Sequence, residues 1–130
     1  MSESESKQRI LIADDERIIA DTLALILSAI GFESIAAYSG EAALEVAAQF
    51  RPDILISDVI MPGMNGIEAA IRISKMLPKC NVILFSGQAS TADLISQVSS
   101  EGHTFEILAK PVQPQVLIER VKRISLSASA

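Results

Sequence analysis

The chain has 130 residues, 49% hydrophobic and 21% charged, with six Gly and five Pro; that is enough for one domain with a real core and too apolar for a disordered chain. Its formal net charge of -5 argues against a nucleic-acid surface, which needs clustered Lys and Arg. No run approaches the roughly 18 apolar residues of a membrane span, and the single Cys80 excludes an internal disulfide and fits a reducing cytosol, so a cytoplasmic protein is expected.

In chain order, the polar acidic start M-S-E-S-E-S-K-Q is unlike a signal peptide and predicts a disordered tail over 1–8. Strands are predicted at about 9–13, 34–38, 53–57, 81–85 and 104–108, and helices at about 16–30, 40–50, 65–77, 91–100 and 114–125. In the first helix Ile19, Leu23, Ile26 and Ile30 recur at three- and four-residue steps, and Gly31 is a natural stop. Ile18, Leu25 and Ala29 form a second apolar stripe beside them, either wide core burial or a docking surface for a partner. Ser39 is placed to cap the second helix, which Arg51-Pro52 ends, and Asn65-Gly66 opens the third. Ser90-Thr91-Ala92-Asp93 starts the fourth, the weakest, and Leu117, Val121 and Ile124 give the last its inner stripe. Residues 126–130 are expected to fray. Near-continuous apolar strands alternating with helices indicate a small doubly wound α/β fold, its parallel sheet covered on both faces. Neither an internal repeat nor a second domain is visible.

Four strands end in residues suited to phosphate chemistry. Asp14-Asp15 close R-I-L-I-A, Asp58 closes D-I-L-I-S, Ser86 closes N-V-I-L-F, and Lys110 follows T-F-E-I-L-A. In an open parallel sheet the carboxyl ends of neighbouring strands lie side by side, and ligands bind in the crevice there. Carboxylates crowded together repel unless a proton or cation intervenes, so the set implies a hard divalent ion and a phosphoryl group. Each member also has a plainer reading. Asp14-Asp15-Glu16 could simply favour a helix N-terminus, Asp58 could be a turn former, Ser86-Gly87 a strand-end turn, and Lys110 a surface lysine. Mg²⁺ prefers six oxygens and commonly combines one or two carboxylates with phosphate and water; Met61-Pro62-Gly63 forces a tight turn that keeps backbone carbonyls near Asp58. Lys110 is a point-charge phosphate ligand, and Lys110-Pro111 suits a cis peptide. His103, the only His, reads as a solvated loop residue with no second ligand nearby.

Asp14-Asp15, Asp58 with Met61-Pro62-Gly63-Met64-Asn65-Gly66, Ser86-Gly87 and Lys110-Pro111 together resemble the receiver domain of bacterial two-component response regulators, chemotaxis-regulator-like, over residues 9–125. The resemblance implies a flavodoxin-like five-stranded sheet in the order 2-1-3-4-5 with five helices. It implies that Asp58 is the phosphoacceptor for a histidine kinase or phosphotransfer protein. Mg²⁺ would be held by Asp14, Asp15, Asp58 and the backbone carbonyl of Ile60. Lys110 would neutralise the phosphoryl oxygens, and Ser86 would reach toward the aspartyl phosphate. Such a domain catalyses only its own phosphorylation and dephosphorylation and works by altering partner binding, alone or within a longer regulator. Nucleic acid and membrane are not expected partners.

The sequence departs from the family at two places. Where an aromatic switch residue is typical, three before Lys110, stands Ile107; Phe105, on the same strand face, is either its substitute or a core aromatic. Ile60 presents an apolar side chain where a polar one could orient water, with Gln88 a candidate to compensate, and an aspartyl phosphate lasting minutes or longer is expected. Two rival functions fit less well. An aspartate-nucleophile phosphatase needs a general-acid Asp two residues past its nucleophile, where this chain has Ile60 after Asp58 and Glu16 after Asp14. A flavin carrier would meet a repulsive Asp14-Asp15-Glu16 in place of a phosphate loop. A pseudo-receiver that never takes phosphate is the remaining alternative.

Overall fold

Four of the five strands carry branched or long aliphatic side chains toward both faces, which only a sheet sandwiched between helices can bury. The computed structural model describes residues 7–87 and 105–129. Its strands are β1 (Arg9–Ala13), β2 (Glu33–Ala37), β3 (Ile54–Asp58), β4 (Asn81–Ser86) and β5 (Glu106–Ala109). They form one parallel sheet in the order β2-β1-β3-β4-β5, as expected. The described helices are α1 (Arg17–Ala29), α2 (Gly40–Phe50), α3 (Gly66–Met76) and α4 (Pro114–Ser129). The helix expected over 91–100, with its start at Ser90, lies outside the described residues, as do Gln88 and His103.

Strand alternation divides the core in two. Leu11, Leu55 and Leu84 face α2 and α3, where Ala43, Ala47, Ile67 and Ile73 meet them. Ile10, Ile12, Ile56 and Ile83 face the other way, toward Ala20 and Leu27 of α1 and Leu117 and Val121 of α4. At ~1.5–3 kcal/mol for each large aliphatic side chain fully buried, these two layers hold the strand ends in register.

Most helix boundaries follow the local chemistry. The Ser39 side chain accepts the Ala42 N–H, and Asn65 does the same for Glu68, so α2 and α3 are capped. Helix α1 ends just before Gly31, whose φ of +110° is left-handed. One expectation needs correction. The stripe Ile19, Leu23, Ile26 and Ile30 is only partly the buried face of α1: Leu23 packs half-buried against the core, Ile19 and Ile30 are exposed, and the fully buried residues are Ala20 and Leu27. Apolar residues fill more than one stripe of this helix, so periodicity could not choose between them. Helix α4 extends through Ser129. The Gln8 carbonyl accepts the Glu33 N–H at 3.0 Å.

Candidate functional site

The sheet delivers its polar residues to one edge. Asp14 follows β1, Asp58 ends β3, Ser86 ends β4 and Lys110 follows β5. Register fixes their neighbourhood: Asp58 stands opposite Phe85 and Ser86 opposite Ala109, and the Lys110 N–H donates to the Ser86 carbonyl at 3.0 Å. Ligand oxygens of Asp14, Asp15 and Asp58 all lie within 4.8 Å of one another. Lys110 Nζ sits 2.9 Å from Asp58 Oδ2, with Asp58 buried and the lysine half-buried. The Lys110-Pro111 peptide is cis, as its sequence predicted.

The acids divide by solvation. Asp14 is buried and Asp15 exposed. Asp14 Oδ1 accepts the Glu16 N–H at 3.0 Å, anchoring the start of α1, while Oδ2 is buried without a hydrogen-bond partner. A buried, unpartnered carboxylate oxygen facing two further carboxylates is costly unless a cation completes it, and an all-oxygen donor set suits a hard divalent ion. The residues present therefore fit Mg²⁺. Burial pushes the Asp14 carboxyl above its ordinary range, and the negative charges of Asp58 and Asp15 push the same way; the Glu16 N–H and Lys110 only partly offset this. Burial pulls the Lys110 ammonium down, but its hydrogen bond to Asp58 and the charges of Asp58, Asp14 and Glu16 prevail and leave it raised. Lysine thus stays charged beside the carboxylate that it neutralises.

Of the remaining residues singled out in the sequence, Ser86 is buried at the strand end beside this group. Ile60 lies two residues past the end of β3 and is 54% exposed, so the rim near Asp58 is apolar and open to solvent. Phe105 and Ile107 are both half-buried and pack on the α2 and α3 side of the sheet, sharing one face as alternation requires. Beside the acids, a cleft of about 460 Å³ opens between α1 and the segment after β5. Ile19, Leu23, Phe85 and Val112 line it, with Asp14 and Lys110 at its polar end.

Two residues do more than the sequence shows: Gly66, read there only as a helix start and motif member, and Glu41. A Cβ on Gly66 would collide with the Asp58 carbonyl oxygen and lie 2.8 Å from Ser57 Oγ. Glycine here lets the start of α3 lie against the end of β3, where the Gly66 N–H donates to the Val59 carbonyl at 2.8 Å. Glu41, in the first turn of α2, accepts the Met64 N–H through Oε2 at 3.1 Å. The signal for the first was a glycine at a helix start, where a better helix former would otherwise serve. Nothing in the sequence pairs Glu41 with a loop 23 positions away.

Comparison with known proteins places this arrangement. The family model "Response regulator receiver domain" matches residues 10–122. The chain is 32% identical over 119 residues to the chemotaxis protein CheY of Thermotoga maritima, covering 91% of this chain and 98% of that protein. It is 29% identical over 116 residues to the DNA-binding response regulator MtrA of Mycobacterium tuberculosis, covering 89% of this chain. The chain spans about half the length of MtrA and of the other curated relatives of that kind. Among solved structures, a CheY-like receiver domain from Methanospirillum hungatei superposes with a TM-score of 0.83 at 27% identity, covering 95% of this chain and 98% of that one. Strand order, the acid-and-lysine edge and a family match along nearly the whole sequence agree: the chain belongs to the response regulator receiver domains of two-component systems.

Proposed function

We propose that Asp58 is the phosphoacceptor of this domain and that it takes its phosphoryl group, in a Mg²⁺-dependent reaction, from a sensor histidine kinase or a histidine phosphotransfer protein. The observation that carries this is the Lys110 Nζ to Asp58 Oδ2 contact of 2.9 Å within a cluster of three carboxylates. Phosphoryl transfer needs in-line positioning and charge neutralisation more than covalent help. An Asp58 oxygen attacks phosphorus as the bond to the donor's imidazole nitrogen breaks, and the electron pair of that bond leaves with the imidazole. Lys110 then exchanges a carboxylate partner for a phosphoryl oxygen, and the Ser86 hydroxyl is placed to donate to another. Asp14, Asp15, Asp58 and the Ile60 carbonyl would hold Mg²⁺, which supplies neutralisation of the phosphoryl oxygens.

On this reading the domain turns over no external substrate. Position 60, where a phosphatase of this chemistry carries its general acid, is an apolar side chain pointing toward solvent. The donor lands beside α1, where Ile18 is 82% and Leu25 71% exposed. No helix among the described residues is long and apolar enough to cross a membrane; the cytoplasm, where kinase and Mg²⁺ meet, is where we locate its action. Incubation with Mg²⁺ and acetyl phosphate, followed by intact mass of wild type and Asp58→Ala, tests the proposal. One phosphoryl adduct in wild type and none in the variant is expected. Equal adducts in both, or none in wild type, would overturn it.

A further inference from the structure

Three hydrogen bonds hold the loop between β3 and α3. The Val59 N–H donates to the Phe85 carbonyl at 3.0 Å on the entry side, and the Gly66 N–H returns to the Val59 carbonyl at 2.8 Å on the exit side. Between them, the Met64 N–H is taken by a carboxylate from a different helix, Glu41 Oε2 at 3.1 Å. The surroundings are shaped for that reach. Gly63 has a φ of +77°, and a Cβ there would stand 2.8 Å from Glu41 Oε2. On the helix side, a Cβ at Gly40 would stand 2.7 Å from the Met64 carbonyl oxygen. Two positions without side chains thus let the start of α2 and this loop touch, and Glu41 bridges them.

Glu41 is exposed and sits in the first turn of α2, so an acid there has an ordinary use in complementing the helix dipole. That use asks only for charge. It does not ask for an acceptor oxygen aimed at an amide 23 positions away. Residues 59–63 lie between the acceptor aspartate and the amide that Glu41 holds; Val59 and Met61 are buried in the core, whereas Ile60, Pro62 and Gly63 are exposed. The backbone of Ile60 therefore depends on its neighbours' anchorage for its position.

We infer that Glu41 is a positioning residue of the phosphorylation site: by accepting the Met64 N–H it fixes the β3–α3 loop, and so the Ile60 carbonyl, for the divalent cation. This rests on the receiver reading above and extends it to a residue outside the acid cluster. It acts through the loop and touches neither cation nor phosphate.

Charge and reach are separable by substitution. Glu41→Asp keeps the charge at the helix start but shortens the arm by one methylene. Glu41→Gln keeps the arm and an acceptor oxygen but removes the charge. The Mg²⁺ dissociation constant is measured by titration calorimetry on wild type, Glu41→Asp, Glu41→Gln and Glu41→Ala, together with acetyl phosphate labelling across a Mg²⁺ series. Outer residues that orient ligands commonly cost ten- to a hundredfold in metal affinity when lost. The expectation is about tenfold weaker Mg²⁺ binding for the Asp and Ala variants and within about threefold of wild type for Gln. Labelling should be slowed mainly at low Mg²⁺ and recover as Mg²⁺ saturates. A Glu41→Asp variant equal to wild type overturns the inference in favour of a charge effect, and a Glu41→Gln variant as impaired as Asp overturns it by showing that an acceptor oxygen at the right reach does not suffice. Should Glu41→Ala fail to fold, the Asp and Gln pair decides alone. A wild type that binds no Mg²⁺ would remove the receiver reading first, and this inference with it.

Discussion

Gly66→Ala adds one carbon at the closest approach in the site. Its Cβ would collide with the Asp58 carbonyl oxygen and come within 2.8 Å of Ser57 Oγ and 2.9 Å of the Asp58 carbonyl carbon. Ordinary carbon contacts are about 3.5–4.0 Å, so the start of α3 must retreat by roughly 1 Å. Backbone is the obstacle on the far side, and it has nowhere to rotate. Overpacking of this kind costs about 1–3 kcal/mol, and stretching the 2.8 Å Gly66–Val59 hydrogen bond adds about 1 kcal/mol. A total loss of about 2–4 kcal/mol should appear in urea unfolding. Chemistry should suffer as well, because a misplacement of about 1 Å at a reacting group can cost about a hundredfold. Gly31→Ala is the control. It also forces a side chain onto positive φ, but with nothing within 4 Å and far from the acids. It should cost about 1–2 kcal/mol and leave labelling by acetyl phosphate unchanged. A folded Gly66→Ala protein that labels at the wild-type rate would refute the reasoning, as would a Gly31→Ala protein slowed as much.

Asp14→Asn should stabilise the Mg²⁺-free protein at neutral pH by about 1 kcal/mol while abolishing stabilisation by added Mg²⁺, read as melting temperature with and without the ion. The sign follows from the raised Asp14 pKa. The native state holds that proton more tightly than the unfolded chain, so stability is lost as pH rises from the ordinary value of 3.8 through the raised native one, and Asn escapes this loss. Ile18→Asp and Leu25→Asp should leave acetyl phosphate labelling intact yet impair transfer from the cognate kinase about tenfold or more, comparable to loss of an interface contact worth over 1 kcal/mol; equal transfer removes α1 as the landing face. Burial pushes the Cys80 thiol up to about 12, so iodoacetamide at pH 8 should label native protein at least roughly fiftyfold more slowly than urea-unfolded protein, the low thiolate fraction being partly offset by greater intrinsic nucleophilicity. With Ile60 on the rim, the aspartyl phosphate should persist for minutes in Mg²⁺ buffer; loss within seconds by intact mass would remove that expectation.

What the sequence made legible was everything a strand carries. Asp58, Ser86 and Lys110 needed only the end of an apolar run and the parallel order of the sheet to be brought together, because register converts chain position into location. Helix faces were harder. In α1, apolar residues at 18, 19, 20 and 23 to 27 fill more than one stripe, so periodicity could not choose Ala20 over Ile19. Loop anchorage was the least legible. Gly66 and Glu41 matter because of what lies across from them in space: Gly66 against Asp58, eight positions back, and Glu41 against Met64, 23 positions on.

The division between what is buried and what is exposed at this site bears on how it works. Asp14, Asp58 and Ser86 stand on strand ends whose side chains are locked between two helical layers, so their oxygens move little. Asp15, Ile60 and the outer face of α1 are exposed, where a change of residue costs little stability. A rigid floor keeps the acceptor geometry constant, as a reaction dependent on alignment requires. The rim tolerates substitution at little cost in stability, and on the proposed reading it is the part that an incoming donor or water meets. On that basis, substitutions at Ile60 should alter the lifetime of the phosphate and leave its formation from acetyl phosphate nearly unchanged, whereas substitutions at Lys110 should slow formation about a hundredfold by removing fixed charge from the transition state. If Ile60 and Lys110 variants instead changed both steps in parallel, floor and rim would not be separate functional layers.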